Sequence, residues 1–364
     1  MSVSILLGVI LGFAFIHLDR SLGVFLGWIF TIGWSVTYQR AKGQSWKGAF
    51  FAGLATSLVS CPWLLDVIRS YFSIQGWLAY LAYVLVIALL ALQWVLSHFL
   101  YYALGKFPFL SPPLRLSLAW FAAENLSFQM FPWSVANTQS AFLEFIQVAD
   151  IGGVSFVTFL MFWISGLVVQ SLFSFSAEGT DTHRRSFVGS FVGACLLFCV
   201  VLLYGKQSLD TYASQAQGAE TLRIGLVQPN FNSETHFQRT SVYSDLKHLR
   251  ELTQKSLSGV ELDLIIWPES SVVFNYWLHE NSIPRNSPRD PFPYLQTPLL
   301  FGGQVRRGDE TIEGKLLYHN AALLLTPLGF VNEKYFKQHL FPFSERIPFV
   351  DLFPSLLHLS PDPS

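Results

Sequence analysis

At 364 residues, 51% of them hydrophobic and only 13% charged, the chain is far more apolar and far less charged than an average soluble domain, and a membrane protein is the default reading. A formal net charge of −1 gives no polyanion-binding surface, so nucleic acid is excluded as a partner class. The three cysteines, Cys61, Cys195 and Cys199, all fall in apolar segments and read as small buried hydrophobes, and nothing supports a zinc site.

Met1 to His17 has neither a basic leader before its apolar run nor a small-residue cleavage site after it, and reads as a retained anchor. Apolar runs recur at roughly 3–18, 21–38, 46–68, 77–101, 114–128, 152–175 and 187–205. Most are near the length of about twenty residues that crosses a bilayer, which gives residues 1–205 about seven helices. The first pair, joined by Leu18-Asp19-Arg20, is open to a shallow hairpin instead. Glu124 in the fifth run must face a hydrogen-bonding partner or water, because an acid in hydrocarbon is costly. Phe131 to Trp133 (FPW) and the stretch to Asp150 suit a membrane-surface segment with aromatic anchors.

Loop charge orients these helices. Loops two, four and six carry Arg40, Lys42, Lys47, Lys106, Arg115, Arg184 and Arg185, whereas loops one, three and five carry only Arg20 and Arg69. Lys and Arg near span ends prefer the cytoplasm, so the N-terminus is expected there, with everything after about Gly205 in the periplasm of a bacterial inner membrane.

Lys206 to Glu220 is polar and reads as a linker, and residues 221–364 then change character. Leu222 to Gln228 is a β-rich run closed by Pro229-Asn230, and Ser241 to Leu257 carries helical spacing through Leu246, Leu249, Leu252 and Leu257. Leu264 to Ser270, LIIWPES, is a strand that ends in Pro268 and the carboxylate Glu269. This strand, helix, strand order predicts a parallel pair with a right-handed crossover. The proline-rich Asn281 to Thr297 is expected to be a loop or lid, more mobile than its neighbours. Leu299 to Val305 and Asn320 to Thr326 read as further strands. Loops at the carboxyl ends of strands are where α/β folds place chemistry, so Glu269 stands where a catalytic base would stand. Lys337 and Glu345 sit in the aromatic, proline-punctuated segment Phe336 to Phe349.

A strand followed by WPES, then a lysine in K-x-H-L-x-P-F-x-E, resembles the nitrilase superfamily, in particular its membrane branch, the apolipoprotein N-acyltransferases; the FPW at 131–133 is also similar. Two positions depart from the family pattern: Phe237 stands where a Trp is common, and Ser344 makes P-F-S-E of P-F-G-E. The resemblance implies a multi-pass α-helical membrane bundle followed by an α/β nitrilase-like domain, an α-β-β-α sandwich. It further implies a Glu-Lys-Cys triad in which Glu269 is the general base, suited to that role by desolvation from Trp267 and neighbouring aromatics. Lys337 would be the oxyanion donor and Glu345 a supporting carboxylate. No metal or organic cofactor is implied. The implied partners are a phospholipid acyl donor and, as acceptor, the N-terminal amine of the diacylglyceryl-cysteine of an apolipoprotein. Residues 206–364 contain no cysteine, so the nitrilase-like domain is expected to be incomplete, its N-terminal part only, and the chain catalytically incomplete alone. The competing readings are a membrane-tethered carbon–nitrogen hydrolase with the same triad, a non-catalytic fragment, and a channel or transporter with a periplasmic cap. Glu124 as the single polar candidate in the spans disfavours the last of these.

Alkaline phosphatase fused after residue 220 is expected to be active, because the charge asymmetry puts that point in the periplasm. Activity of a cytoplasmic reporter at the same point, with a silent phosphatase, would reverse the orientation.

Overall fold

The computed structural model describes residues 1–340 except 41–42, 71, 73, 128–130, 132, 177–180, 232–241, 258, 294 and 313–314. Glu345, Phe237 and Ser344 lie outside the described residues. The chain divides into two compact units, one drawn from residues 1–69 and 73–219, the other chiefly from 220–364.

The apolar runs of the first unit fold as helices: α1 (Ser2–Ile16), α2 (Ser21–Gln39), α3 (Trp46–Ser60), α4 (Trp63–Ser70), α5 (Trp77–Leu104) and α6 (Pro112–Leu126). After a 3-10 turn at Val135–Gln139 come two single turns, α7 (Leu143–Ile146) and α8 (Ala149–Gly152), then α9 (Val154–Ser176) and α10 (Asp181–Ala216). By length and composition α2, α5, α9 and α10 are each able to cross a membrane. The third run is broken into α3 and α4 at a bend of 71°, because Pro62 has no amide hydrogen with which to continue the helix. The first and fifth runs give helices of 15 residues. The seven expected spans are therefore four full-length helices, one bent pair and two short helices among the described residues.

Small residues let the helices approach closely, as packing in a lipid environment requires. A Cβ on Gly8 of α1 would stand 2.2 Å from the Ala52 carbonyl oxygen of α3, and Thr56 Oγ1 donates to Gly8 O at 2.9 Å across the same crossing. The core is aromatic: Phe30, Trp34, Trp94, Trp120 and Phe162 meet with ring centroids 4.9 to 6.3 Å apart.

One expectation is corrected in this unit. Lys206 to Ala216, read as linker, continue α10 as helix; their polar composition reports exposure, and no Gly or Pro interrupts them before Gly218. The stretch from Val135 towards Asp150, expected at a membrane surface, packs one face against the bundle, with Val135, Ala136, Thr138, Gln139, Phe145 and Val148 buried and Leu143, Glu144 and Asp150 exposed. The buried Glu124 holds it there. Glu124 accepts from Ser134 Oγ at 2.9 Å, Val135 N at 3.0 Å and Thr158 Oγ1 at 3.2 Å, so the acid has the partners that the sequence demanded.

The second unit is one mixed sheet: β1 (Ile224–Leu226), β2 (Leu264–Ile266), β3 (Val272–Trp277), β4 (Leu299–Ile312), β5 (Lys315–Leu325) and β6 (Val331–Phe336), with α11 (Val242–Leu257) between β1 and β2. The strand order is β1-β2-β4-β5-β6, and β3 also pairs with β4. β1, β2 and β4 run parallel, as the strand, helix, strand pattern predicts, and β4, β5 and β6 form antiparallel pairs. Strand alternation sends Val227, Ile265, Trp267, Leu299, Phe301, Val305, Leu323 and Leu325 to one face, where Leu246 and Leu249 of α11 join them in the core. The opposite face is apolar as well, and among the described residues no second sheet covers it. Ile224 and Leu226 on β1 and Tyr335 on β6 are exposed there, while Ile266, Leu300 and Leu324 are half-buried.

The proline-rich segment is a loop as read, but a polar hub rather than an apolar period ties it down. The fully buried Asp290 accepts from Arg285 Nη1 at 2.9 Å, Asn286 N at 3.0 Å and Phe292 N at 3.2 Å. Arg250 of α11 donates to the Asp290 and Pro291 carbonyls at 2.7 and 2.8 Å. Tyr276 of β3, its phenol pushed up by burial, donates to Arg289 O at 2.9 Å.

One turn positions the candidate base. After β2 the chain leaves β4 at Pro268, whose carbonyl accepts from Gly302 N at 3.2 Å, and rejoins it at Val272 opposite Gly303. Ser270 sits at φ 52, an uncommon conformation for a residue with a Cβ. The turn lies directly on Gly302: a Cβ there would stand 2.5 Å from Ser270 N and 2.6 Å from Glu269 Cα. Both contacts are to backbone, which has nowhere to rotate. At Gly303 the added Cβ would meet only side-chain atoms at 3.3 to 3.5 Å. Gly302→Ala is therefore expected to destabilise the unit by about 2 kcal/mol and Gly303→Ala by clearly less, read as the order of their thermal midpoints. Equal midpoints would contradict the close approach.

Candidate active site

Three side chains converge beside the Pro268–Ser271 turn. Glu269 is carried by the turn, Asn320 by β5 and Lys337 by the residue that follows β6. Lys337 Nζ donates to Glu269 Oε1 at 2.9 Å, and Asn320 Nδ2 donates to the same oxygen. The backbone fixes the other side of the triangle, since Lys337 N donates to Asn320 O at 2.9 Å. Asn320 thus presents its amide to the carboxylate and its carbonyl to the lysine, and the antiparallel register of β5 with β6 brings Lys337 alongside it. Gln304 of β4 pairs with Asn320 on the other side, two residues beyond Gly302.

The structure therefore joins Glu269 and Lys337, as the family resemblance implied, and adds Asn320. An asparagine at the start of the expected strand Asn320 to Thr326 reads as an ordinary turn residue, so the sequence alone offered no signal for it; the structure puts it in the middle of β5. The glycine pair at 302–303 did carry a signal, because glycine inside a strand marks a bulge or a close backbone approach.

The expected shielding of Glu269 by Trp267 is not found. Trp267 is buried on the covered face, where its indole N–H donates to Thr253 Oγ1 of α11 at 3.1 Å and its ring packs on Phe292. The Glu269 side chain keeps 59% of its exposure and Lys337 keeps 32%. A pair this accessible contributes little to stability by itself. Its chemical capacity is a basic carboxylate with an ammonium donor beside it, at one end of the uncovered sheet face.

No cysteine belongs to the unit that holds this pair. Cys61 is buried at the end of α3, and Cys195 and Cys199 are exposed on α10. In the same helical unit Phe131 and Trp133 pack with Trp63 and Phe15 in an aromatic cluster beside Glu124 and the 3-10 turn.

Comparison with known proteins covers both units. Residues 7–167 match the family described as the apolipoprotein N-acyltransferase N-terminal domain. Apolipoprotein N-acyltransferase of Chlorobaculum tepidum is 30% identical over 274 residues, which cover 71% of this chain and 50% of that protein. The Geobacter metallireducens protein of the same name is 29% identical over 227 residues, 62% of this chain and 41% of the relative. Apolipoprotein N-acyltransferase 1 of Treponema denticola is 27% identical over 320 residues, 78% and 57% of the two chains. The chain spans about half the length of these curated relatives. With its apolar helices, its nitrilase-like sheet and these similarities, the chain belongs to the apolipoprotein N-acyltransferase family.

Proposed function

We propose that this chain supplies the membrane bundle and the base-and-ammonium part of an N-acyltransferase. The enzyme would move an acyl chain from a phospholipid to the N-terminal amine of a lipoprotein's diacylglyceryl-cysteine, with its chemistry on the periplasmic side of a bacterial inner membrane. The observation that carries the reading is the contact of 2.9 Å between Glu269 and Lys337, made by residues 68 positions apart in a chain whose relatives bear that activity in their names.

Ester-to-amide transfer is easier in two steps through a thioester. In the first step a thiol attacks the ester carbonyl carbon of the phospholipid. Glu269 takes the thiol proton, Lys337 donates a hydrogen bond to the tetrahedral oxyanion, and the carbon–oxygen bond breaks. The lysophospholipid leaves with the proton returned from Glu269. In the second step the neutral amine attacks the thioester carbonyl, Glu269 takes its proton, the amide forms and the released thiolate is reprotonated. Asn320 and Lys337 together hold Glu269 by Oε1 through both steps. Glu345 is assigned the support of this pair.

This reading takes the thiol from polypeptide outside the 364 residues. The uncovered sheet face is suited to receive that polypeptide. Burying an exposed large apolar side chain such as Leu226 is worth roughly 1.5 to 3 kcal/mol, and the face ends at the Glu269–Lys337 pair.

Mass spectrometry after incubation with phospholipid tests the roles. The 364-residue chain alone is expected to carry no acyl adduct, and an adduct is expected once a polypeptide completing the domain brings its cysteine. In the completed protein Glu269→Gln and Lys337→Ala should each raise the acylation barrier by about 2 to 4 kcal/mol. An adduct on the short chain, or unchanged acylation in Glu269→Gln, would overturn the assignment.

A further inference from the structure

The helical unit contains a cavity of about 60 Å³ under the aromatic cluster of Phe131 and Trp133. Polar side chains from three helices line it, among them Ser57 of α3, Gln93 of α5, and Trp120 and Glu124 of α6; the Thr56 and Ser60 hydroxyls of α3 also border it but already donate to backbone carbonyls. The Trp120 indole is 1% exposed, and its N–H has no acceptor. Among the described residues Ser57 Oγ and the Gln93 amide likewise make no hydrogen bond within the protein. Glu124 binds the 3-10 turn and α9 on one side and borders the cavity on the other.

We propose that this cavity is a built hydration site, in which ordered water joins Trp120, Gln93, Ser57 and Glu124. Buried polar groups in native proteins are satisfied by protein or by ordered water, and an indole N–H requires an acceptor. Water supplies what this set lacks, because it accepts from Trp120 and from the Gln93 amide while donating to carboxylate, carbonyl or hydroxyl oxygen. The volume suffices: by the same measure a cavity needs only about 10 to 15 Å³ to hold a water, and this one has about 60 Å³. A cavity lined only by Leu, Ile and Phe stays dry at about 150 Å³, so polarity and not size decides occupancy. The bundle provides its own comparison. Trp34 also lacks an acceptor for its indole N–H and is fully buried, but it does not border the cavity. The water would extend the Glu124 network from α6, the 3-10 turn and α9 to α3 and α5. The Phe131–Trp133 cluster would then rest on a hydrated polar layer and not on hydrocarbon.

Radiolytic hydroxyl labelling tests this in the whole 364-residue chain, reconstituted in lipid nanodiscs. X-ray pulses make hydroxyl radicals from water in place, so a buried side chain is oxidised only where water touches it. Trp120 should be oxidised severalfold faster than Trp34 although both are buried. Gln93→Leu, which removes two of the cavity's polar atoms at nearly the same side-chain size, should lower the Trp120 rate towards that of Trp34. Equal rates for the two tryptophans in the unmodified chain would overturn the proposal. A rise at Trp34 in the variant would report a loosened bundle, and the unmodified comparison would then decide.

Discussion

The candidate chemistry rests on one close backbone approach, the packing of the Pro268–Ser271 turn onto Gly302. Because no side chain stands on Gly302, the chain can leave β4, place Glu269 at the end of the sheet and return within four residues. Asn320 then reaches the carboxylate from β5, which is hydrogen-bonded to β4, and Lys337 from the end of β6, which is hydrogen-bonded to β5. The constellation is therefore a product of sheet register. A one-residue slip of β6 would turn Lys337 to the other face, as side chains on a strand alternate.

That dependence explains which parts of the site were legible in the sequence. Glu269 and Lys337 were legible because the strand ending in WPES and the later K-x-H-L-x-P-F-x-E carry a family resemblance; the local pattern at Glu269 was weak by itself. Asn320 was not, because its significance comes from lying across two strand pairings from Glu269, and no local pattern records that. Of the strands, β1, β2, the start of β4 and the latter half of β5 announced themselves as apolar runs. β6, Val331–Phe336, was passed over because its outward positions are Asn, Lys and Glu mixed with Tyr. The Trp267 expectation failed for a related reason: this aromatic, two residues before the candidate carboxylate, belongs to the covered side of the sheet, and the turn carries Glu269 to the other.

In the helical unit hydropathy was a good guide to where helices form and a poor guide to their limits. Pro62 divides one run, and polar residues at the end of α10 continue its helix because composition governs solvation more than backbone conformation. The acid in the fifth run was the more informative signal. Glu124 had to find donors, and it finds them by drawing Ser134 and Val135 into the bundle, which fixes a segment that hydropathy alone left on the surface. Asp290 does the same for the proline-rich loop. In both units a buried carboxylate organises a stretch that has no apolar period of its own.

The most direct test of the central claim is whether Glu269 and Lys337 touch in the folded chain. A carbodiimide joins a carboxylate to an amine without a spacer, so it links only residues already in contact. Treatment of the 364-residue chain followed by peptide mass spectrometry is expected to give a cross-link between the peptides bearing Glu269 and Lys337, absent in Glu269→Gln. Carbodiimide modification of Glu269 without any cross-link to an unblocked Lys337 would contradict the account.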